Sequence, residues 1–236
     1  RERAEASFQF GAIDESVRDS ERALTLLGRP IPATGFGWAR LGLGQLILQV
    51  WQRIRNARSA EESAQLHTML RAAGRLMEAY VFANQPQKMI ALALWAANRA
   101  PEVAPGAPLA QPFAILGLTT GMMRLERLAQ RYFALANDPA TSSGVASELV
   151  GSLFLRSLYQ MAFGKTNAWK QSIDRGFEAA TRSNIDHQAD IFRLGYALHA
   201  FIQARHAECL AKIEETRASA LRRHDEPMVC WCDVSS

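Results

Sequence analysis

Two stretches in the C-terminal half of the chain follow the same plan, in which a long amphipathic helix is followed by a break and a second helix. One stretch runs over 141–184 and breaks at Phe163-Gly164-Lys165, and the other runs over 187–225 and breaks at Ala204-Arg205-His206. A two-helix unit of roughly forty residues cannot bury its apolar side alone, so it stacks against further units. The repeat therefore predicts an all-α fold of antiparallel helical hairpins stacked as an α-solenoid.

The rest of the chain fits the same fold class. Proline and glycine lie far apart, and no segment alternates apolar and polar residues as a half-buried strand does. Helical spacing predicts ten helices, over 12–27, 38–56, 60–84, 86–99, 108–120, 122–137, 141–163, 167–183, 187–204 and 206–223. We treat residues 1–236 as one helical-repeat domain.

One segment, 28–60, is predicted to be an irregular insertion between repeats. Two prolines and two glycines interrupt any helix before Trp38. After that point apolar residues return at helical spacing, and Leu43 and Ile47 are among those expected to pack against neighbouring helices.

Composition excludes several classes of protein. With 236 residues and 48% hydrophobic content, the chain can bury a core without disulfides or metal. Its longest apolar runs, such as 91–97, fall far short of the ~20 residues of a membrane span, and its start lacks a signal-peptide pattern. The 27 basic residues are interleaved with 23 acidic ones, so no nucleic-acid surface is indicated. We expect a cytoplasmic protein that binds neither membrane nor nucleic acid.

The segment Gly164-Lys165-Thr166 resembles the end of a phosphate-binding loop. That loop requires a glycine five residues before the Gly-Lys pair, where this chain has Tyr159, and a buried strand leading into it. Here the approach has the pattern of a helix over 145–162. We expect no nucleotide binding, and we expect Gly164 to end that helix in the left-handed conformation.

Metal-binding and catalytic patterns are weak. Cys209, Cys230 and Cys232 lie near His206 and His224, but their gaps are not those of paired zinc ligands. Small cysteines in an apolar run more often fill a core. The five histidines are dispersed, and no Gly-x-Ser-x-Gly motif occurs. We expect no cofactor and no catalytic residue.

The N-terminal residues resemble a tetratricopeptide repeat. In Gly11-Ala12-Ile13-Asp14-Glu15-Ser16-Val17 a glycine opens the turn, and Ala23 stands twelve residues later, where helices cross closely. The continuation over 25–32 and the segments 122–129 and 168–173 resemble the tetratricopeptide-like C-terminal region of large bacterial signalling ATPases. That resemblance implies a helical-repeat region joined, in the whole protein, to an AAA-type ATPase and to a nucleotide cyclase, protein kinase or DNA-binding domain.

Both ends of the chain are expected to lie inside a longer protein. Residue 1 falls within the expected first helix of a repeat, and Asp225-Glu226-Pro227 resembles a helix start with only about ten residues left. Any ATPase, cyclase or kinase activity would then belong to domains outside this chain.

The expected function is a non-catalytic regulatory or protein-interaction scaffold in signal transduction, because stacked hairpins create an extended surface. Its partner would be a protein or peptide, such as the ATPase module of its own parent. The alternative is a small-molecule effector-sensing domain that controls an attached ATPase or a transcriptional output. The aromatic residues that either line its pocket or fill the core are Trp38, Trp51, Tyr80, Phe82 and Trp95.

A partner surface is predicted on the first helix of each hairpin, since those helices line the concave face in tetratricopeptide-like stacks. The predicted partner-binding residues are Arg156, Gln160, Arg193, Tyr196 and Gln203. Such side chains suit hydrogen bonds to a peptide backbone or pairing with carboxylates, although every surface helix also needs a solvated face. Alanine at both Arg156 and Arg193 should leave thermal stability nearly unchanged but weaken binding to the ATPase module by ~1–3 kcal/mol if a charge-assisted pair is lost.

Overall fold

The structure is a computed structural model that describes residues 13–54, 64–100, 108–143 and 146–235. Over these ranges it contains eleven α-helices and no strand, which confirms the predicted all-α class. The helices fall into two compact units, which are described separately below. Whether residues 1–236 act as one domain stays a prediction.

The first unit contains six helices. They are α1 (Ile13–Leu26), α2 (Gly35–Ile54), α3 (Ala64–Phe82), α4 (Pro86–Ala97), α5 (Ala110–Met122) and α6 (Glu126–Ser143). From α3 to α6 each helix packs against the next one in the chain, whereas α1 packs against α3 and α2 packs against α4. In the chain, α2 therefore lies between α1 and α3, which pack against each other. It falls within the segment predicted to interrupt the repeat.

The start and the packing of α2 differ from the prediction. The helix begins at Gly35 rather than Trp38, because the side-chain oxygen of Thr34 accepts a hydrogen bond from the Gly37 N–H, 3.1 Å away, and caps the first turn. Leu43 and Ile47, expected to pack, are exposed. The buried side of α2 instead carries Trp38, whose ring meets that of Tyr80 edge-on at 5.8 Å.

The second unit contains the last five helices. They are α7 (Ala146–Ala162), α8 (Thr166–Arg182), α9 (Asp186–Ile202), α10 (His206–Arg222) and α11 (Glu226–Ser235). Each packs against the next, and α9 also contacts both α7 and α11. The predicted helix start near residue 226 is confirmed, and α11 has 10 residues. The predicted helix end at 137 is wrong, because α6 continues to Ser143.

The turns of the second unit recur every twenty residues. Gly164, Asn184, Ala204 and His224 each have positive φ, in the left-handed region. The residue after each of them donates its N–H to a carbonyl five residues earlier, as Arg205 does to Ala200 at 2.9 Å. This is the Schellman arrangement that satisfies the free carbonyls at a helix end. The left-handed conformation expected at Gly164 and the break at Ala204 are therefore confirmed.

Candidate partner-binding surface

The predicted partner-binding residues lie on two helices that touch. Arg156 and Gln160 belong to α7, Arg193 and Tyr196 belong to α9, and Gln203 directly follows the end of α9. Because α7 contacts α9, the two helices lie next to each other, as the repeat led us to expect. The five side chains nevertheless differ in exposure and in what they bind.

Gln160 does not lie on the surface. Its side chain is only 5% exposed, and its oxygen Oε1 is buried without a hydrogen-bond partner in the described residues. The expectation that it extends a polar stripe is therefore wrong. Gln160 lies four residues from Arg156 on the same helix, but this position is buried and not part of the surface.

Arg193 is held by acidic side chains of its own unit. It pairs with Asp190, which is 0% exposed, and its Nε lies 3.2 Å from Glu215 Oε1. Its guanidinium also lies 5.4 Å from the ring centre of Phe177. Loss of Arg193 would leave a buried carboxylate with a partner missing, which is costly. The expectation that alanine at Arg193 leaves stability unchanged is therefore withdrawn.

Asp190 belongs to a larger ion network that ties α9 to the turn before α11. Arg223 Nη2 lies 2.5 Å from Asp190 Oδ2, and His187 Nδ1 lies 2.5 Å from Asp225 Oδ2. Burial alone would raise the pKa of Asp225, but the bond with His187 and the nearby Arg223 lower it below its usual value. These ion pairs stabilise the arrangement of the helices, so the side chains that form them have a structural role.

Tyr196 and Gln203 make contacts inside the unit. The Tyr196 hydroxyl donates to Asp174 Oδ1 at 2.8 Å, and the ammonium of Lys170 lies 5.3 Å from the tyrosine ring centre. Burial, then Asp174, raises the pKa of Tyr196. Gln203 is exposed, and its Nε2 lies 3.4 Å from His199 Nε2. Tyr196 therefore contacts side chains of α8, and Gln203 contacts a side chain of α9.

Arg156 is the predicted residue with the clearest capacity to bind a partner. It is half-buried, and it forms no ion pair or hydrogen bond within the described residues. Burial, then the positive charge of Arg175 on α8, lowers its pKa. Arg175 is exposed and likewise has no acidic partner in the described part of the chain. Two guanidinium groups thus repel each other on adjacent helices, which favours binding of an anion.

Sequence reasoning missed Arg175, although a signal for the unpaired state of Arg156 was present. The residues three and four positions from Arg156 are Ser152, Leu153, Tyr159 and Gln160, and none is acidic. An arginine on a helix without such a neighbour has no local ion-pair partner. The nearness of Arg175 depends on how α7 and α8 pack, which helical spacing does not give.

The segments that resemble nucleotide-binding and metal-binding motifs have structural roles. Gly164 ends α7, and Lys165 Nζ lies 3.2 Å from the Tyr159 hydroxyl. Cys209 and Cys232 are buried in an apolar cluster, and burial above all raises the pKa of Cys232 to about 11. Among the described residues, no three His, Cys, Asp or Glu side chains are grouped to hold a metal ion.

Comparisons with family models, curated proteins and solved structures found no match to this chain. In the described ranges no helix combines the length and hydrophobicity needed to cross a bilayer. The assignment of function therefore depends on the contacts and charges of the chain itself.

Proposed function

We propose that this chain is a non-catalytic regulatory scaffold, the tetratricopeptide-like α-solenoid region of a multidomain signalling ATPase or cyclase. The packing of the second unit supports the proposal. Each helix there contacts its neighbours in the chain, and a left-handed turn recurs every twenty residues. Such nearest-neighbour stacking is the physical basis of repeat proteins, which present an extended surface to a partner.

The observation on which the proposal chiefly depends is that Arg156 and Arg175 have no ion-pair partner within the described residues. Two other basic residues of α8 are engaged in ion pairs: Lys170 lies 2.8 Å from Asp174 Oδ1, and Arg182 lies 3.3 Å from Glu178 Oε1. Holding two like charges on adjacent helices without a counter-ion has a cost, and the carboxylates of an acidic segment would remove it. The partner is therefore an acidic stretch of protein, in our proposal on the ATPase module of the same parent.

The experiment measures the affinity of residues 1–236 for that ATPase module by isothermal titration calorimetry. Alanine at both Arg156 and Arg175 should weaken binding by ~1–3 kcal/mol, because charge-assisted hydrogen bonds are lost. Arg222→Ala is the matched control, since Arg222 is an exposed arginine without an ion pair in the described residues. Absence of binding, or equal losses in the double variant and the control, would reject the proposal.

The alternative function, sensing of a small-molecule effector, keeps one specific observation in its favour. Trp38, Tyr80 and Trp95 are buried, so their rings fill the core of the first unit. Trp95 nevertheless contacts Arg29, which has no acidic partner in the described part of the chain. The side chains of Trp51 and Phe82 lie outside the described ones. That contact is developed below.

A further inference from the structure

Arg29 is a half-buried cation that has no anionic partner among the described residues of the first unit. It follows Gly28, whose φ of +89° ends α1, and its N–H donates to the Leu24 carbonyl at 2.9 Å. The turn therefore fixes where the side chain leaves the backbone. The guanidinium lies 4.9 Å from the ring centre of Trp95, and within the described residues Arg29 has no ion pair. A partly desolvated guanidinium normally has a carboxylate or other acceptor beside it.

Trp95 supplies a second donor that has no acceptor. The residue is 2% exposed, and its indole Nε1 is buried without a hydrogen-bond partner among the described residues. A buried N–H left unpaired is costly, so native structures pair nearly all such groups. The cost would be removed by an acceptor atom brought in by a ligand.

The electrostatic surroundings of Arg29 also favour an anion. Burial lowers the pKa of Arg29, and the positive charge of Arg99 lowers it further. The Arg29 guanidinium and the Trp95 indole N–H are both hydrogen-bond donors only.

We infer that Arg29 and Trp95 form a binding site for a small organic anion, a carboxylate or a phosphate ester. The planar fork of Arg29 suits two oxygens of such a group, and the indole N–H suits a further oxygen. The ligand would neutralise the half-buried charge of Arg29. The proposed site specifies the class of ligand for the effector-sensing alternative. The inference depends on that alternative only for the physiological role of the site.

The test follows the indole N–H signals of the ¹⁵N-labelled chain by NMR during titration with inorganic phosphate and, separately, with acetate. The Trp95→Phe variant assigns the Trp95 signal among those of the 5 tryptophans. We expect a saturable shift of the Trp95 signal with at least one anion, and no comparable shift with chloride at equal ionic strength. A response to phosphate alone assigns a phosphate ligand, and a response to acetate alone assigns a carboxylate.

Two variants separate specific binding from a general salt effect. Arg29→Met keeps an apolar stem on Trp95 and should weaken anion binding about tenfold or more. Arg22→Met is the control, because Arg22 is exposed and has no partner in the described residues. Trp95→Phe keeps the ring and removes the N–H, and calorimetry should also show weaker binding.

The inference is overturned if neither anion gives a saturable shift, or if affinity is unchanged in both Arg29→Met and Trp95→Phe. Because these measurements need no ATPase module, their failure is distinguishable from failure of the scaffold function. Effector sensing would in turn fail if anion binding leaves the activity of the parent protein unchanged.

Discussion

At the residue scale, the turns of the second unit depend on left-handed backbone at residues that are mostly not glycine. Only Gly164 of the four is a glycine, while Asn184, Ala204 and His224 carry a Cβ there. For L-residues this conformation costs about 1–2 kcal/mol, least for asparagine. Tertiary packing therefore imposes the turn at Ala204 against its local preference.

Ala204→Gly should stabilise the protein by up to ~1 kcal/mol. Glycine removes the strain at φ +57°, and this gain exceeds the added entropy of the unfolded chain. The reverse change, Gly164→Ala at φ +65°, should destabilise by a similar amount. Urea unfolding followed by circular dichroism measures both. A destabilising Ala204→Gly would show that the turn is not strained.

A buried histidine should make stability depend on pH. Burial, then Arg205 and Lys170, lowers the pKa of His199. The acidic side chains of Glu208 and Asp174 act in the opposite direction but are outweighed. The unfolded chain then binds a proton more readily than the folded one, so stability falls as pH drops below about 6.5.

The free energy of unfolding should therefore decrease between about pH 7 and pH 5, and His199→Gln should flatten this part of the profile. Urea titrations at a series of pH values for both proteins provide the measurement. A wild-type profile that is level in this range, or a variant with the same slope, would contradict the assignment to His199.

The sequence indicates the break at Ala204 but not the reason for it. Helical spacing changes phase around 204–206, which is visible without a structure. The charges around His199 come from α8, from the turn after α9 and from α10. Arg223, a partner of Asp190, lies in the turn before α11 and is 33 residues away in the chain. Contacts between residues that far apart depend on helix packing, and no local pattern specifies them.

At the element scale, small residues set how closely helices approach. A Cβ added at Gly176 on α8 would lie 2.2 Å from the ring of Phe192 on α9. Phe192 is buried and meets Phe154 edge-on with ring centres 6.4 Å apart, so its ring has little room to move. The glycine is therefore required by packing and not by its backbone angles.

Gly176→Ala should destabilise by ~1–3 kcal/mol, because the added methyl group displaces a packed ring. Gly151→Ala on α7 is the matched control, since a Cβ there meets no atom within 4 Å. That change should be neutral or stabilise by up to ~1 kcal/mol through helix propensity. Thermal unfolding compares the two, and equal melting temperatures would contradict the packing argument.

Helix positions were the most predictable elements. The spacing of apolar residues placed α8, α9 and α10 within a residue or so of their observed starts. The failure at α2 has a physical cause, since an amphipathic pattern shows that a helix has an apolar side but not that a neighbour covers it. Leu43 and Ile47 lie on such a side and are exposed.

At the scale of the whole molecule, the proposed scaffold function depends on which surface charges have no ion-pair partner within the described residues. The predicted surface had five residues, and the structure leaves Arg156 as its clearest unpaired group and adds Arg175. Of the others, Gln160 is buried and Arg193 is paired with Asp190. Sequence could not separate these cases, because exposure and pairing both follow from the packing of α7 to α10.

Hydrogen–deuterium exchange on residues 1–236, with and without the ATPase module of the proposed parent protein, tests the proposed scaffold function most directly. The proposed acidic contact predicts slower exchange of amides in α7 and α8 around Arg156 and Arg175 on complex formation. The protection should disappear when both arginines are alanine in a protein that is still folded. Saturable binding without protection in α7 and α8, or the same protection in the double variant, would contradict the proposed surface.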